Sequence, residues 1–118
     1  MPVESVTMPE LRKLIDSALG YVLIDVREQR ELVHGVIPTA KHIPLPELTT
    51  ALEMPAEDFE KKYGFKKPGK KDNLVFYCRT GGRSHTAAMI AKQKGFNAKN
   101  FVGGIYEWSA IDPRVKKY

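Results

Sequence analysis

A single cysteine, Cys78, is followed at once by a segment rich in glycine and arginine, Arg79-Thr80-Gly81-Gly82-Arg83-Ser84. Residues 73–77 predict a buried strand and residues 84–94 a helix, so the loop 78–83 joins a strand to a helix N-terminus. Glycines in such a loop let several backbone N–H groups converge on one point. The helix dipole and the arginines add positive potential, which lowers the pKa of a cysteine and exposes a nucleophilic thiolate. We therefore predict Cys78 as the catalytic nucleophile and five residues as its anion-binding loop: Arg79, Thr80, Gly81, Gly82 and Arg83.

Two apolar runs are typical of strands buried on both faces, as in a parallel sheet. One run, 21–24, ends on Asp25, and the other, 73–77, ends on Cys78. Strands alternate with helices along the chain, which favours an α/β fold with a mainly parallel central sheet and helices on both faces. Ligands bind beyond the carboxyl ends of such strands, so we expect Asp25 and Cys78 at one edge. With 118 residues, the chain has the size of a single domain, 1–118.

Capping and breaking residues predict the remaining elements. Thr7 and Glu10 form a capping box before a helix whose apolar face includes Leu19 and which ends at Gly20. Trp108, on a short final helix, is expected to be a core or lid residue rather than a binding platform. The other predicted elements are a short helix at 28–33, an extended segment at 41–44, helices at 46–52 and 55–63, and a strand at 97–102.

Asp25 and Arg27 are expected to have structural roles near the site. Arg27 and Glu31 are four residues apart, a spacing that suits an ion pair, and Asp25 is expected to accept backbone N–H groups. The three histidines have no spacing that suggests a metal site, and no second cysteine is present to share one.

The composition limits the classes of partner. The net charge of +5 suits attraction of small anions, but the aromatic residues are not interleaved with the basic ones as in nucleic-acid binding surfaces. No apolar stretch approaches the roughly 20 residues that span a bilayer, so no membrane association is expected. One cysteine cannot form an internal disulfide, which fits a reducing compartment. We expect a cytoplasmic protein, or one of the mitochondrial matrix if a presequence has been removed.

Taken in order, several motifs resemble those of the rhodanese family of single-domain thiosulfate sulfurtransferases. The motifs are Leu23-Ile24-Asp25-Val26-Arg27, Gly35-Val36-Ile37-Pro38, the 74–84 segment and Gly103-Gly104 with Trp108. Val36 departs from the histidine often found there. The resemblance implies a single rhodanese-like domain without a cofactor, in which Cys78 takes sulfur from an anionic donor such as thiosulfate and becomes a persulfide. A thiol, for example glutathione or thioredoxin, or cyanide then accepts the sulfur.

Two alternatives remain open at this level. A cysteine-based phosphatase or arsenate reductase also places a thiolate under an oxyanion, but phosphatases have a longer loop that would require arginine where this chain has Ser84. A non-catalytic rhodanese-like binding module would have no need of Cys78 together with the glycines and arginines of its loop.

Overall fold

The computed structural model describes residues 2–18 and 20–118 and contains a five-stranded sheet. Every neighbouring pair of its strands is parallel, in the order β1-β5-β4-β2-β3. The strands are β1 (Glu4–Val6), β2 (Val22–Asp25), β3 (Lys41–His42), β4 (Asn73–Tyr77) and β5 (Asn97–Phe101). The predicted mainly parallel α/β fold is confirmed.

In the described part of the chain, five α-helices connect and cover these strands. They are α1 (Met8–Ser17), α2 (Leu48–Glu53), α3 (Ala56–Tyr63), α4 (Gly82–Gln93) and α5 (Gly104–Trp108). The predicted capping box at α1 is confirmed, because Thr7 Oγ1 accepts the Glu10 N–H and the Glu10 carboxylate accepts the Thr7 N–H. Leu19, predicted on the apolar face of this helix, lies outside the described residues. None of the described helices is long and apolar enough to cross a membrane.

The central strand β4 contributes to apolar cores on both faces of the sheet because successive side chains point to opposite sides. Leu74 and Phe76 lie in one core, which contains residues of α2, α3 and α4. Val75 and Tyr77 lie in the other, with residues of α1 and α5, including Trp108. Helices therefore cover both faces, and the predicted core position of Trp108 is confirmed.

The register brings together the two strand ends that the sequence marks as functional. Asp25 is paired with Tyr77, the residue before Cys78, and the Val26 N–H donates to the Tyr77 carbonyl at 3.0 Å. Asp25 and Cys78 therefore lie at the same edge of the sheet, as predicted.

Two elements differ from the sequence-based prediction. Strand β1 (Glu4–Val6) was not predicted, because three residues carry too little pattern and this strand is defined by its pairing with β5. The predicted helix at 28–33 is a 3-10 helix, Gln29–His34. None of its residues is fully buried, so no side chain of this segment packs into the core. The extended segment predicted at 41–44 contains β3 and ends before Pro44, as expected.

Candidate active site

The sulfur of Cys78 is the point on which the loop between β4 and α4 converges. Cys78 follows the last residue of β4 and is only 1% exposed. Its Sγ accepts a hydrogen bond from the Gly81 N–H, with 3.1 Å between N and Sγ, and another from Ser84 Oγ at 3.4 Å. These donors favour a negatively charged sulfur.

Opposing effects set the pKa of Cys78. Burial raises the pKa, since an ion is poorly solvated in the interior, but hydrogen bonds from the Ser84 hydroxyl and from the N–H groups of Ser84, Gly81 and Thr80 lower it. The hydrogen bonds prevail, so the pKa lies below that of an ordinary thiol. The predicted direction is confirmed, and the main causes are the Ser84 hydroxyl and N–H in the first turn of α4, followed by the Gly81 and Thr80 N–H groups of the loop. A larger thiolate fraction makes the sulfur a better nucleophile at neutral pH.

Two glycines allow the loop to fit against the turn between β5 and α5. Gly81 has φ +97°, and a Cβ there would lie 2.6 Å from the Val102 carbonyl oxygen. Gly104 has φ +61°, and its Cβ would lie 2.6 Å from the Cys78 carbonyl oxygen. That same oxygen accepts the Ile105 N–H at 2.9 Å, so the start of α5 supports the loop from behind.

Gly82 is not required to be glycine, unlike Gly81, although the sequence suggested that both glycines were needed for the backbone conformation of the loop. It is the first residue of α4, its φ lies outside the left-handed region, and a Cβ there would meet nothing within 4 Å. The conformational requirement for glycine therefore rests on Gly81, and Gly82 leaves open space on the exposed side of the loop.

The Arg83 guanidinium forms an ion pair with the Glu31 carboxylate. Its Nη1 and Nη2 atoms donate to Glu31 Oε1 and Oε2 at 2.5 and 3.0 Å. The Arg83 guanidinium lowers the pKa of Glu31 to about 2, and Glu31 in turn raises the pKa of Arg83. Arg83 therefore reaches the edge of the site as one half of an ion pair that is partly exposed to solvent.

The second arginine, Arg79, is held by an aromatic ring. Its guanidinium carbon lies 4.6 Å from the centroid of the Tyr118 ring, within the range of a cation–π contact. Thr80 is exposed, and its contribution to the sulfur is through its backbone N–H.

Asp25 and Arg27 form a buried ion pair beneath the site. Arg27 Nη2 lies 2.7 Å from Asp25 Oδ2, and both side chains are at most 1% exposed. Asp25 Oδ1 also accepts the Arg27 backbone N–H at 2.9 Å, as predicted. Burial lowers the pKa of Arg27, but the hydrogen bonds and charge of Asp25 outweigh it and raise the pKa overall.

The predicted ion pair between Arg27 and Glu31 is wrong. Arg27 precedes the 3-10 helix rather than lying within an α-helix, so the four-residue spacing does not bring the two charged groups together. The Arg27 side chain turns inward, where its Nη1 reaches only the backbone carbonyl of Glu31 at 3.3 Å. The Glu31 carboxylate turns toward Arg83.

The family assignment follows from comparison with known proteins. A model of the rhodanese-like domain matches residues 7–111, which is most of the chain. The chain belongs to the rhodanese family. Human thiosulfate:glutathione sulfurtransferase is 40% identical over 106 residues, covering 88% of this chain and 91% of that protein.

A second relative and a solved structure agree with this assignment. The mitochondrial thiosulfate sulfurtransferase RDL2 of Saccharomyces cerevisiae is 34% identical over 116 residues, covering 94% of this chain and 78% of that protein. The structure of human single-domain sulfurtransferase TSTD1 matches with a TM-score of 0.88 and 37% identity. It covers 94% of this chain and 99% of that one, so the likeness includes nearly the whole rhodanese domain.

Three residues of this rhodanese site were not assigned to it by the sequence analysis: Ser84, Gly104 and Tyr118. Ser84 is fully buried, and its place in the first turn of the helix after Cys78 is the one sequence signal that could have indicated it. Gly104 and Tyr118 reach the loop only through the tertiary fold. Among residues 2–18 and 20–118, no three His, Cys, Asp or Glu side chains cluster in a way that could hold a metal ion.

Proposed function

We propose that this rhodanese-family sulfurtransferase moves a sulfane sulfur from thiosulfate, or a related persulfide donor, to a thiol or cyanide acceptor through a Cys78 persulfide. The observation that carries the proposal is the set of donors that converge on Cys78 Sγ from Gly81 and Ser84. The names of the human and yeast relatives support thiosulfate as the donor. The human name also supports glutathione as the acceptor.

In the first step, the Cys78 thiolate attacks the outer sulfur of thiosulfate. A new S–S bond forms, the S–S bond of thiosulfate breaks, and sulfite leaves with the electron pair of that bond. The outer sulfur of the resulting persulfide carries a negative charge, which backbone N–H groups of the loop can stabilise as they do for the thiolate. Arg79 and Arg83 offer guanidinium donors to the oxygens of thiosulfate and of the departing sulfite.

In the second step, an acceptor thiolate or cyanide attacks the outer sulfur of the persulfide. The Cys78 thiolate leaves with the electron pair of the S–S bond, which restores the starting state and releases a new persulfide or thiocyanate. Because the donor product leaves before the acceptor reacts, we expect ping-pong kinetics. No cofactor is needed for either step, and thioredoxin is a second candidate acceptor.

Intact mass spectrometry before and after addition of thiosulfate tests the proposal, with Cys78→Ser in parallel. Formation of the persulfide adds one sulfur atom, about 32 Da, to the wild-type protein alone, and cyanide removes it. A wild-type mass that stays unchanged with thiosulfate and with a glutathione persulfide would contradict the proposal. The non-catalytic binding module and the cysteine-based phosphatase or arsenate reductase would then be the remaining interpretations.

The same preparation distinguishes the phosphatase alternative. Turnover of an aryl phosphate that the Cys78→Ser change abolishes would favour a phosphatase. For the compartment, we propose the cytoplasm or the mitochondrial matrix, both of which keep thiols reduced. The yeast relative named as mitochondrial supports the second, and imaging of the tagged protein in cells would decide between the two.

A further inference from the structure

Tyr118 lies between two groups that border the active site. The guanidinium carbon of Arg79 is 4.6 Å from the centroid of its ring. The imidazole of His34 is stacked on it, with 4.1 Å between ring centroids and 17° between the ring planes. Tyr118 lies outside the segment 7–111 that matches the rhodanese-like domain, and it also lines an open cavity of about 510 Å³ beside Arg83.

The hydroxyl of Tyr118 fixes the ring in this place. It accepts a hydrogen bond from Arg27 Nη1 at 2.9 Å and donates one to Glu31 Oε2 at 2.8 Å. Burial raises the pKa of Tyr118 and outweighs the opposing effect of Arg27, so the hydroxyl remains protonated and able to donate. A buried cation and a carboxylate therefore hold the ring from its hydroxyl end.

Arg79 differs from Arg83 in that no carboxylate neutralises it. Arg83 is paired with Glu31, whereas Arg79 has no carboxylate within ion-pair distance among residues 2–18 and 20–118. The Nε atom of Arg79 is buried and has no hydrogen-bond partner among the described residues. Arg79 directly follows Cys78 in the loop, so it contributes a positive charge to the loop that no described carboxylate compensates.

We propose that Tyr118 is a positioning residue whose ring orders the Arg79 guanidinium, so that its charge attracts an anionic sulfur donor to the loop that carries Cys78. The proposal rests on the sulfurtransferase function proposed above, because it names the residue that orders the arginine expected to bind the sulfur donor. Tyr118 itself touches no reacting atom. Its effect on the reaction passes through Arg79.

Alkylation of Cys78 by two reagents tests this without relying on sulfur transfer. Iodoacetate is an anion and iodoacetamide is neutral, yet both react with the same thiolate, so the ratio of their rate constants cancels changes in the thiolate fraction. The ratio reports the positive potential beside the sulfur. A cation–π contact of about 0.5–1 kcal/mol corresponds to a two- to five-fold change in the equilibrium constant between the held and the released guanidinium.

We expect Tyr118→Ala to lower the ratio of the iodoacetate to the iodoacetamide rate constant by up to about two- to five-fold, the limit set by the cation–π contact. Tyr118→Phe, which keeps the ring, should retain most of the ratio. Tyr106→Ala is the matched control, because Tyr106 is an exposed tyrosine whose ring lies 4.4 Å from Lys117 Nζ instead. Its removal should leave the ratio at the wild-type value.

A double-mutant comparison separates positioning from a general structural effect. In an Arg79→Gln background, Tyr118→Ala should cause no further fall in the ratio. The proposal is overturned if Tyr118→Ala leaves the ratio unchanged, or if it lowers the ratio equally with and without Arg79. Tyr118→Leu, which keeps apolar bulk without an aromatic face, replaces the alanine variant if that variant does not fold. Failure of the sulfurtransferase proposal would appear separately, as a wild-type protein that gains no sulfur.

Discussion

Replacing Ser84 with alanine should make Cys78 a weaker acid and therefore a slower nucleophile at neutral pH. The Ser84 hydroxyl donates to Cys78 Sγ at 3.4 Å, and both residues are at most 1% exposed, so water does not readily take its place. Hydrogen bonds to charged groups contribute about 1.5–3 kcal/mol, and the lower end applies here because sulfur is a large, diffuse acceptor. A loss of about 1.5 kcal/mol corresponds to roughly a tenfold smaller thiolate-to-thiol ratio.

The rate of iodoacetamide alkylation, measured by intact mass from about pH 5 to pH 10, checks this prediction. The midpoint of the wild-type profile should lie below that of an ordinary thiol, and Ser84→Ala should move it to higher pH. Thr86→Ala serves as the control because Thr86 is an exposed hydroxyl residue on the same helix and makes no bond to the sulfur. If the Ser84→Ala and wild-type profiles coincide, the backbone N–H groups alone set the pKa and the argument fails.

Three further predictions concern stability. Gly104→Ala would force a Cβ into the backbone of the 78–83 loop at a left-handed φ, and we expect a loss of about 3 kcal/mol or more in urea unfolding. Gly82→Ala, its matched control, should be neutral or stabilise by up to about 1 kcal/mol. Asp25→Asn leaves Arg27 buried without its counter-charge, so the free energy of unfolding should fall by about 3–5 kcal/mol; an unchanged midpoint would refute the structural role. The folded-state pKa of Glu31 is about 2, below its unfolded value, so the ionised Glu31 stabilises the fold fully above about pH 5 and loses this contribution toward pH 2. Glu31→Gln should therefore reduce the fall in the free energy of unfolding between pH 5 and pH 2 by about 1–2 kcal/mol.

The placement of the candidate site around Cys78 could be predicted because its signals are local. Continuous apolar residues before Cys78 predict a strand buried on both faces, and the glycine and arginine residues after it indicate an anion-binding turn into a helix. The capping box at Thr7 is equally local, since it needs only four consecutive residues. The sequence by itself therefore determined the α/β class and the edge of the sheet where Cys78, the predicted nucleophile, lies.

The tertiary structure alone decided which charges meet. Arg27 pairs with Asp25 rather than Glu31 because its side chain turns into the interior, and this direction does not follow from residue spacing. Glu31 meets Arg83 across 52 positions of sequence, and Tyr118 meets Arg27 across 91. Contacts over such separations depend on how the sheet order and the final segment bring distant residues to one edge, and no local periodicity encodes them.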